Sequence, residues 1–385
     1  MTDIEKIMDN NQTGSENKTT SQKNKSSRLV SLDTMRGFTM LWITGGGYLI
    51  SSLQSLGDFK LFNFLAYQMD HSSWEGLRFY DCIWPGFMLM VGVSIPFAYA
   101  KRSLTQSYPL MLRHALIRFF ILFLLGSLRE SVSMGEVHLF ELSSALQPIA
   151  VAYLVSFLLV RKSWKIQAGV GLAILLFYGL AQALIPVPGV GAGSYEHNAN
   201  LVWFLDGKLL PSRIEDSVFL AGWGTTITMI PPISTTILGL LIGRLLRSEK
   251  GHEYKLKILA AISAGVLASG YLVSFFVPVV MKLWTVSYGL LSAGWAAFEL
   301  LLLYLIIDVL GYRKWSLFFV VIGMNALAIY LSGTVMKLHK IADIFTQGPA
   351  SLMGSFGPVF SALGFLALEW SILYWMYKRK IFLNP

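Results

Sequence analysis

The stretch DCIWPGFMLMVGVSIPFAYAKR, residues 81–102, opens with an acid, runs apolar for most of its length and stops at Lys101 and Arg102. A bilayer core of ~30 Å needs roughly 20 apolar residues in one helix. Residues 81–100 therefore read as a membrane span with a basic anchor at one end. By the same measure, about ten segments qualify: 35–54, 81–100, 112–129, 142–160, 166–186, 225–246, 257–279, 284–309, 316–336 and 354–377. The whole composition agrees. Of 385 residues, 54% are hydrophobic and only 14% charged, and the mean hydropathy is +0.57, far from soluble usage. The expected fold is an all-α, multi-pass integral membrane protein.

The net charge of +9 does not point to nucleic acid, because the basic residues sit in short clusters between apolar runs. Lys101, Arg102 and Arg113, then Arg161, Lys162 and Lys165, then Arg244, Arg247, Lys250, Lys255 and Lys257, then Arg313 and Lys314, and last Lys378, Arg379 and Lys380 share one side with the basic N-terminal stretch. The positive-inside rule makes that side cytoplasmic, with both termini on it. Residues 1–27, rich in Asn, Ser, Thr and Lys and lacking any apolar run, read as a disordered cytoplasmic tail, and 28–385 as the membrane domain. Cys82 is the single cysteine, so no internal disulfide and no cysteine metal site is expected. No P-loop, dinucleotide glycine fingerprint, zinc helix motif or Gly-x-Ser-x-Gly occurs, and no internal repeat is clear enough to suggest the inverted-repeat plan of many transporters.

Chemistry concentrates ahead of the span first quoted. His71 lies between Asp70 and Trp74–Glu75, on the side opposite the basic clusters. An imidazole can take a proton from an amine or hydroxyl, or accept an acyl group itself, and Asp70, Glu75 and Asp81 are the carboxylates near enough in sequence to orient it. The plainer reading of His71 is a solvated loop residue, and that of Asp81 a first-turn acid favoured by the helix dipole. In the first segment, Asp33 and Arg36 are spaced to pair on one helix face, and Arg36 reads either as a positive-inside anchor, which composition favours, or as a phosphate holder. Gly45, Gly46 and Gly47 permit close helix packing or form the wall of a tunnel. Arg118, Glu299, Glu369, Arg129 and Asp308 are charges placed in or at the edge of lipid, where function is the default reading. Gln147 and Asn325 serve either as interhelical glue or as ligand contacts, and Pro231–Pro232 interrupt backbone pairing near a helix start.

Four stretches carry a family resemblance: RLVSLDTMRGFTM (28–40), MDHSSWEGLRFYDCIWPGFMLMVGVSIPF (69–97), LWTVSYGLLSAGWAAFELLLLYLIIDV (283–309) and IGMNALAIYL (322–331). In this order they resemble the heparan-alpha-glucosaminide N-acetyltransferase family, most closely its bacterial branch of transmembrane acyltransferases. The resemblance implies cytoplasmic acetyl-CoA as donor, an acetyl group passed through the membrane domain and an amino sugar or related glycan acetylated on the outer side, here of a bacterial plasma membrane. It places the active histidine of the His-x-x-Trp-x-Gly pattern on His71, with Trp74 and Gly76 matching and Asp81 as the acid before the second span. Arg36 and Arg118 then become partners for the phosphates, with Asp33 beside Arg36, and Gly45 to Gly47 the passage for the pantetheine arm. Trp203 and Trp223 suit a carbohydrate face or interfacial anchoring equally. Thr44 stands where lysosomal members have Asn, and Pro148 where they have Arg. The rival from another class is a transporter or flippase using Glu299, Glu369 and Asp308 as an ion path. A homodimer is the default assembly, and no metal is expected.

Overall fold

The computed structural model describes residues 29–137, 142, 144–210 and 222–383. The tail expected over 1–27 lies outside the described residues. The described chain is almost wholly helical, with a single two-stranded hairpin, Tyr195–Glu196 (β1) and Ala199–Asn200 (β2). Among the described residues seven helices are long and apolar enough to cross a bilayer, or eight when the bent pair 317–324 and 326–335 is taken as one span.

The helices follow in chain order. Val30–Leu41 (α1) passes through a π-helical turn, Trp42–Gly46, into Gly47–Ser52 (α2). Lys60–Gln68 (α3) precedes the His71 loop, and a short 3-10 turn at Tyr80–Cys82 leads into Ile83–Arg102 (α4). Then come Tyr108–Met134 (α5), Leu146–Leu159 (α6), Trp164–Leu184 (α7) and Leu201–Leu209 (α8). Pro231–Arg247 (α9), His252–Ser274 (α10) and Val286–Leu303 (α11) follow, the last extended by a π-helical turn, Tyr304–Val309. Leu317–Met324 (α12), Ala326–Val335 (α13), Leu338–Ser351 (α14) and Gly357–Lys378 (α15) complete the chain. Three expected segments differ from simple spans: 35–54 is a helix with a π-helical turn inside it, 142–160 holds the 14-residue α6, and 316–336 is α12 and α13 with a 68° bend between them.

Burial sorts the spans. The most apolar window of α9 is 67% buried and that of α10 only 17%, so α9 is central and α10 presents most of its surface outward. α4 packs along α9 and also meets α11, α1 and α6, which makes it the axis of the bundle. Glycine lets α4 and α9 touch backbone to backbone: a methyl on Gly92 would collide with the Thr236 carbonyl, and one on Gly239 with that of Leu89. Small residues serve this purpose in lipid, where helix association depends on close van der Waals packing rather than on expulsion of water. Gly37 and Gly323 do the same between α1 and α12. Pro231 and Pro232 occupy the first turn of α9, where the missing amide hydrogens would have no helical partner in any case.

Candidate functional site

The loop between α3 and α4 is stitched to the segment before α11. Gly76 donates its amide to Val279 O at 2.8 Å, and Glu75 pairs with Val280 as an isolated antiparallel bridge. Gly76 has a φ of +122°, which a side chain would strain. Tyr288 of α11 donates its hydroxyl to the Asp81 carbonyl at 2.7 Å.

This stitching places His71 over Asp81, with Nδ1 2.8 Å from Asp81 Oδ1. A carboxylate can only accept, so Nδ1 carries the hydrogen and Nε2 holds a lone pair in the neutral ring. Asp81 Oδ2 accepts the amides of Arg78 (3.0 Å) and Ser72 (3.3 Å). The Asp81 side chain is 0% exposed and that of His71 38%: an oriented base with a solvent-facing edge. Asp81 thus spends its oxygens on the histidine loop, and no side-chain cap bond forms at the start of α4. Asp70 does not reach the ring. Its Oδ1 accepts the His71 amide at 2.8 Å and its Oδ2 lies 3.5 Å from Arg78 Nη1, so it shapes the backbone. Glu75 is exposed.

Aromatic rings wall the site. His71 meets Tyr80 (centroids 4.7 Å apart) and Trp223 (5.3 Å), both edge-on. Trp74 meets His197 at 4.8 Å and donates Nε1 to Tyr195 O at 2.9 Å. Lys282 Nζ stands 5.9 Å from the Trp74 ring centre and 5.7 Å from that of Trp223. Burial lowers the pKa of Lys282, opposed by the Asp81 carboxylate. Burial also raises the pKa of the Tyr195 phenol. Asp206 of α8 accepts the amides of Thr225 (2.8 Å) and Thr226 (3.0 Å), which fixes the strand of chain carrying Trp223. A Cβ on Gly222 would come within 2.7 Å of Trp74 and 2.8 Å of His197, so only glycine fits there. Trp203 lies beside this segment, its amide capping onto Asn200 Oδ1 at 2.9 Å.

A second feature occupies the other end of α4. A cavity of about 490 Å³ is lined on α4 by Trp84, Phe87, Val91, Ser94, Ile95, Ala98, Tyr99 and Arg102, one continuous helical stripe. From Trp84 to Arg102 the helix rises about 27 Å, close to the depth of a bilayer core. Among the described residues the wall includes Arg36, Arg102 and Arg118 and no carboxylate. Arg36 is held by Asp33 Oδ1 and Ser94 Oγ, each at 3.0 Å. Arg118 stacks over Tyr153 at 4.5 Å, and its buried Nε has no hydrogen-bond partner among the described residues. The lining ends at Trp84, one helical turn from Asp81.

Except for Gly47, which lies beside the Tyr80 ring, the remaining candidate residues do not line either feature. A Cβ on Gly45 would meet Leu366 and Phe365 of α15, so that glycine packs against a helix, while Gly46 faces its own turn at Trp42 and Gly47 lies between the Trp42 carbonyl and the Tyr80 ring. None of the three lines the cavity. Gln147 donates to Ser127 Oγ at 3.1 Å and accepts the Ser144 amide at 3.2 Å, tying α6 to α5. Asn325 sits in the 68° bend between α12 and α13, donating to Ile381 O and accepting from the Leu383 amide, each at 3.0 Å. Glu299, Glu369 and Asp308 do not line the cavity. Sequence reasoning passed over Tyr80, Lys282 and the His197 ring as site members. Only Tyr80, beside Asp81, left a local signal.

No protein-family model matches this chain, and neither does any curated protein.

Proposed function

We propose that the chain is a transmembrane acyltransferase of the heparan-alpha-glucosaminide N-acetyltransferase kind, with acetyl-CoA as donor and an amino sugar or related glycan as acceptor. The observation that carries the reading is the succession along one span of a buried carboxylate that orients His71 and, one turn further on, a cavity lined by three arginines. In this reading all ten apolar segments cross or enter a bacterial plasma membrane, both termini are cytoplasmic, and the Arg102 end of α4 faces the cytoplasm.

The cavity suits a phosphate-bearing thioester. Guanidinium groups bind phosphate oxygens in a fork, and the orphaned Nε of Arg118 is a donor awaiting an acceptor. Tyr99, Tyr153 and Phe157 among the lining residues supply flat faces for a planar base. Arg36, Arg102 and Arg118 would hold the phosphates, and the donor supplies an activated acetyl group at the far end of its arm. His71 Nε2 then takes the proton of the acceptor, or carries the acetyl briefly, with Asp81 stabilising the imidazolium in the first case. Trp74, Trp223 and His197 offer the aromatic faces against which a sugar ring stacks. A cation path through the cavity is disfavoured by its three lining arginines, with no carboxylate among the described lining residues.

The test is transfer from acetyl-labelled acetyl-CoA to a panel of amino sugars by purified protein in proteoliposomes. Labelled product from the native chain and none from His71→Ala is the expected result. Solute uptake that survives His71→Ala and needs no CoA would establish a transporter instead.

A further inference from the structure

Between the end of the cavity and His71 stands a group of residues that the reading above leaves without a task. The face of α5 that lines the cavity carries Met111, Arg118 and Leu122. Arg129 lies eleven residues beyond Arg118, close to three helical turns, and so extends that face toward the histidine. Its guanidinium lies over the Tyr330 ring at 4.7 Å, and Tyr330 is part of the cavity wall. Arg129 is near enough for its charge to bear on Tyr80, a phenol governed chiefly by its burial, and the Tyr80 ring meets His71 at 4.7 Å. Gly47 lies under the Tyr80 ring, where a Cβ would stand 4.0 Å from Cε2. Arg129 is paired with Glu130 through Nη1 at 3.0 Å, while its buried Nε bonds to no described residue. Arg129 is thus a part-buried cation, its side chain 28% exposed, packed on the Tyr330 ring of the cavity wall.

Resting on the acyl-transfer reading, we infer that Tyr80 and Arg129 form the oxyanion site: the Tyr80 hydroxyl donates to the thioester carbonyl oxygen, with the Arg129 guanidinium supplying positive charge behind it. The acceptor nitrogen bonds to the carbonyl carbon while His71 Nε2 removes one of its protons. The π electrons of the carbonyl move onto oxygen, where Tyr80 and Arg129 hold the negative charge. As the carbonyl re-forms, the carbon–sulfur bond breaks and the thiolate takes the proton from the His71 imidazolium, giving an amide and a free thiol. No oxidant, reductant or metal is needed. Donors fixed in advance at the place where charge develops are worth more in the reacting complex than in the ground state, so Tyr80 and Arg129 should act on turnover and not on binding.

The experiment compares the native chain with Tyr80→Phe, Arg129→Gln and Arg129→Lys in proteoliposomes, measuring kcat and KM for the donor, with CoA binding measured separately by calorimetry. We expect kcat to fall about 100-fold in Tyr80→Phe and Arg129→Gln, partial recovery in Arg129→Lys, and unchanged KM and CoA affinity. A kcat for Tyr80→Phe within twofold of native would overturn the assignment, and so would a fall in kcat matched by an equal loss of CoA affinity, which marks a structural role. If the native chain itself transfers nothing, the acyl-transfer reading has failed; if it transfers and Tyr80→Phe does too, only the oxyanion site has.

Discussion

The two ends of α4 are built on opposite principles. At Asp81, loops drawn from residues 69–80, 195–206, 222–226 and 278–288 converge, and a carboxylate with 0% exposure has both oxygens committed. From Trp84 to Arg102 runs a cavity whose arginines include Arg118, with a buried Nε that bonds to no described residue. The closed end is organised before anything binds, as a group that must hold a tautomer and an angle requires. The open end is organised to receive, as a site for a charged, flexible ligand requires. Under the acyl-transfer proposal the contrast divides catalysis from binding along one helix, and substitutions at the two ends should separate them.

The largest effect belongs to the closed end. His71→Ala should abolish transfer while CoA binding persists, and Asp81→Asn should lower kcat by about 10³-fold or more by releasing the imidazole tautomer, both read from initial rates. At the open end, Arg118→Gln should raise the KM for acetyl-CoA by about 10- to 100-fold, as expected for one lost charged hydrogen bond. The same variant should use a short acetyl thioester without phosphates at the native rate, which sharpens the division. Damage to the shared scaffold should harm both ends: Gly92→Leu wedges α4 from α9, and overpacking of this kind costs about 1–3 kcal/mol or prevents folding, as a lowered thermal midpoint in detergent would show.

Lys282 gives a smaller effect, dependent on pH. Its pKa is lowered by burial, so its positive charge disappears as pH rises at a value below the ordinary lysine range. If the ammonium helps to seat the acceptor, acceptor affinity should fall on that alkaline limb. Lys282→Arg should keep the affinity flat there, measured as acceptor KM against pH. The smallest effect is expected at Asn325→Ala, which frees residues 381–383 from the bend and costs about 1–2 kcal/mol of stability for two lost hydrogen bonds.

The parts of this arrangement legible in the sequence were those written locally. Apolar runs of bilayer length mark the helices, and His71 and Asp81 are close enough in sequence to be nominated together. Which of two roles Asp81 plays was not legible, since a first-turn acid and a histidine partner look alike until the loop path is known. Gly45 was equally ambiguous, and its neighbours Phe365 and Leu366 lie more than 300 residues away. Trp223 reaches His71, and His197 and Lys282 reach Trp74, from loops joined only through tertiary contacts, and no period in a single sequence ties them together. Arg129 and Tyr330 face one another from α5 and α13 for the same reason. The bend at Asn325 depends on a backbone segment 56 residues further on, so a polar residue inside an apolar run was all that sequence offered.

The most direct test of the division along α4 places labelled acetyl-CoA and an accepted amino sugar on opposite sides of a sealed proteoliposome and follows labelled product in the acceptor compartment for native protein, His71→Ala and Arg118→Gln. The account predicts product with the native chain, none with His71→Ala at any donor concentration, and restoration of Arg118→Gln to near the native rate when acetyl-CoA is raised. Transfer that persists in His71→Ala, or a deficit in Arg118→Gln that excess donor does not repair, would contradict it.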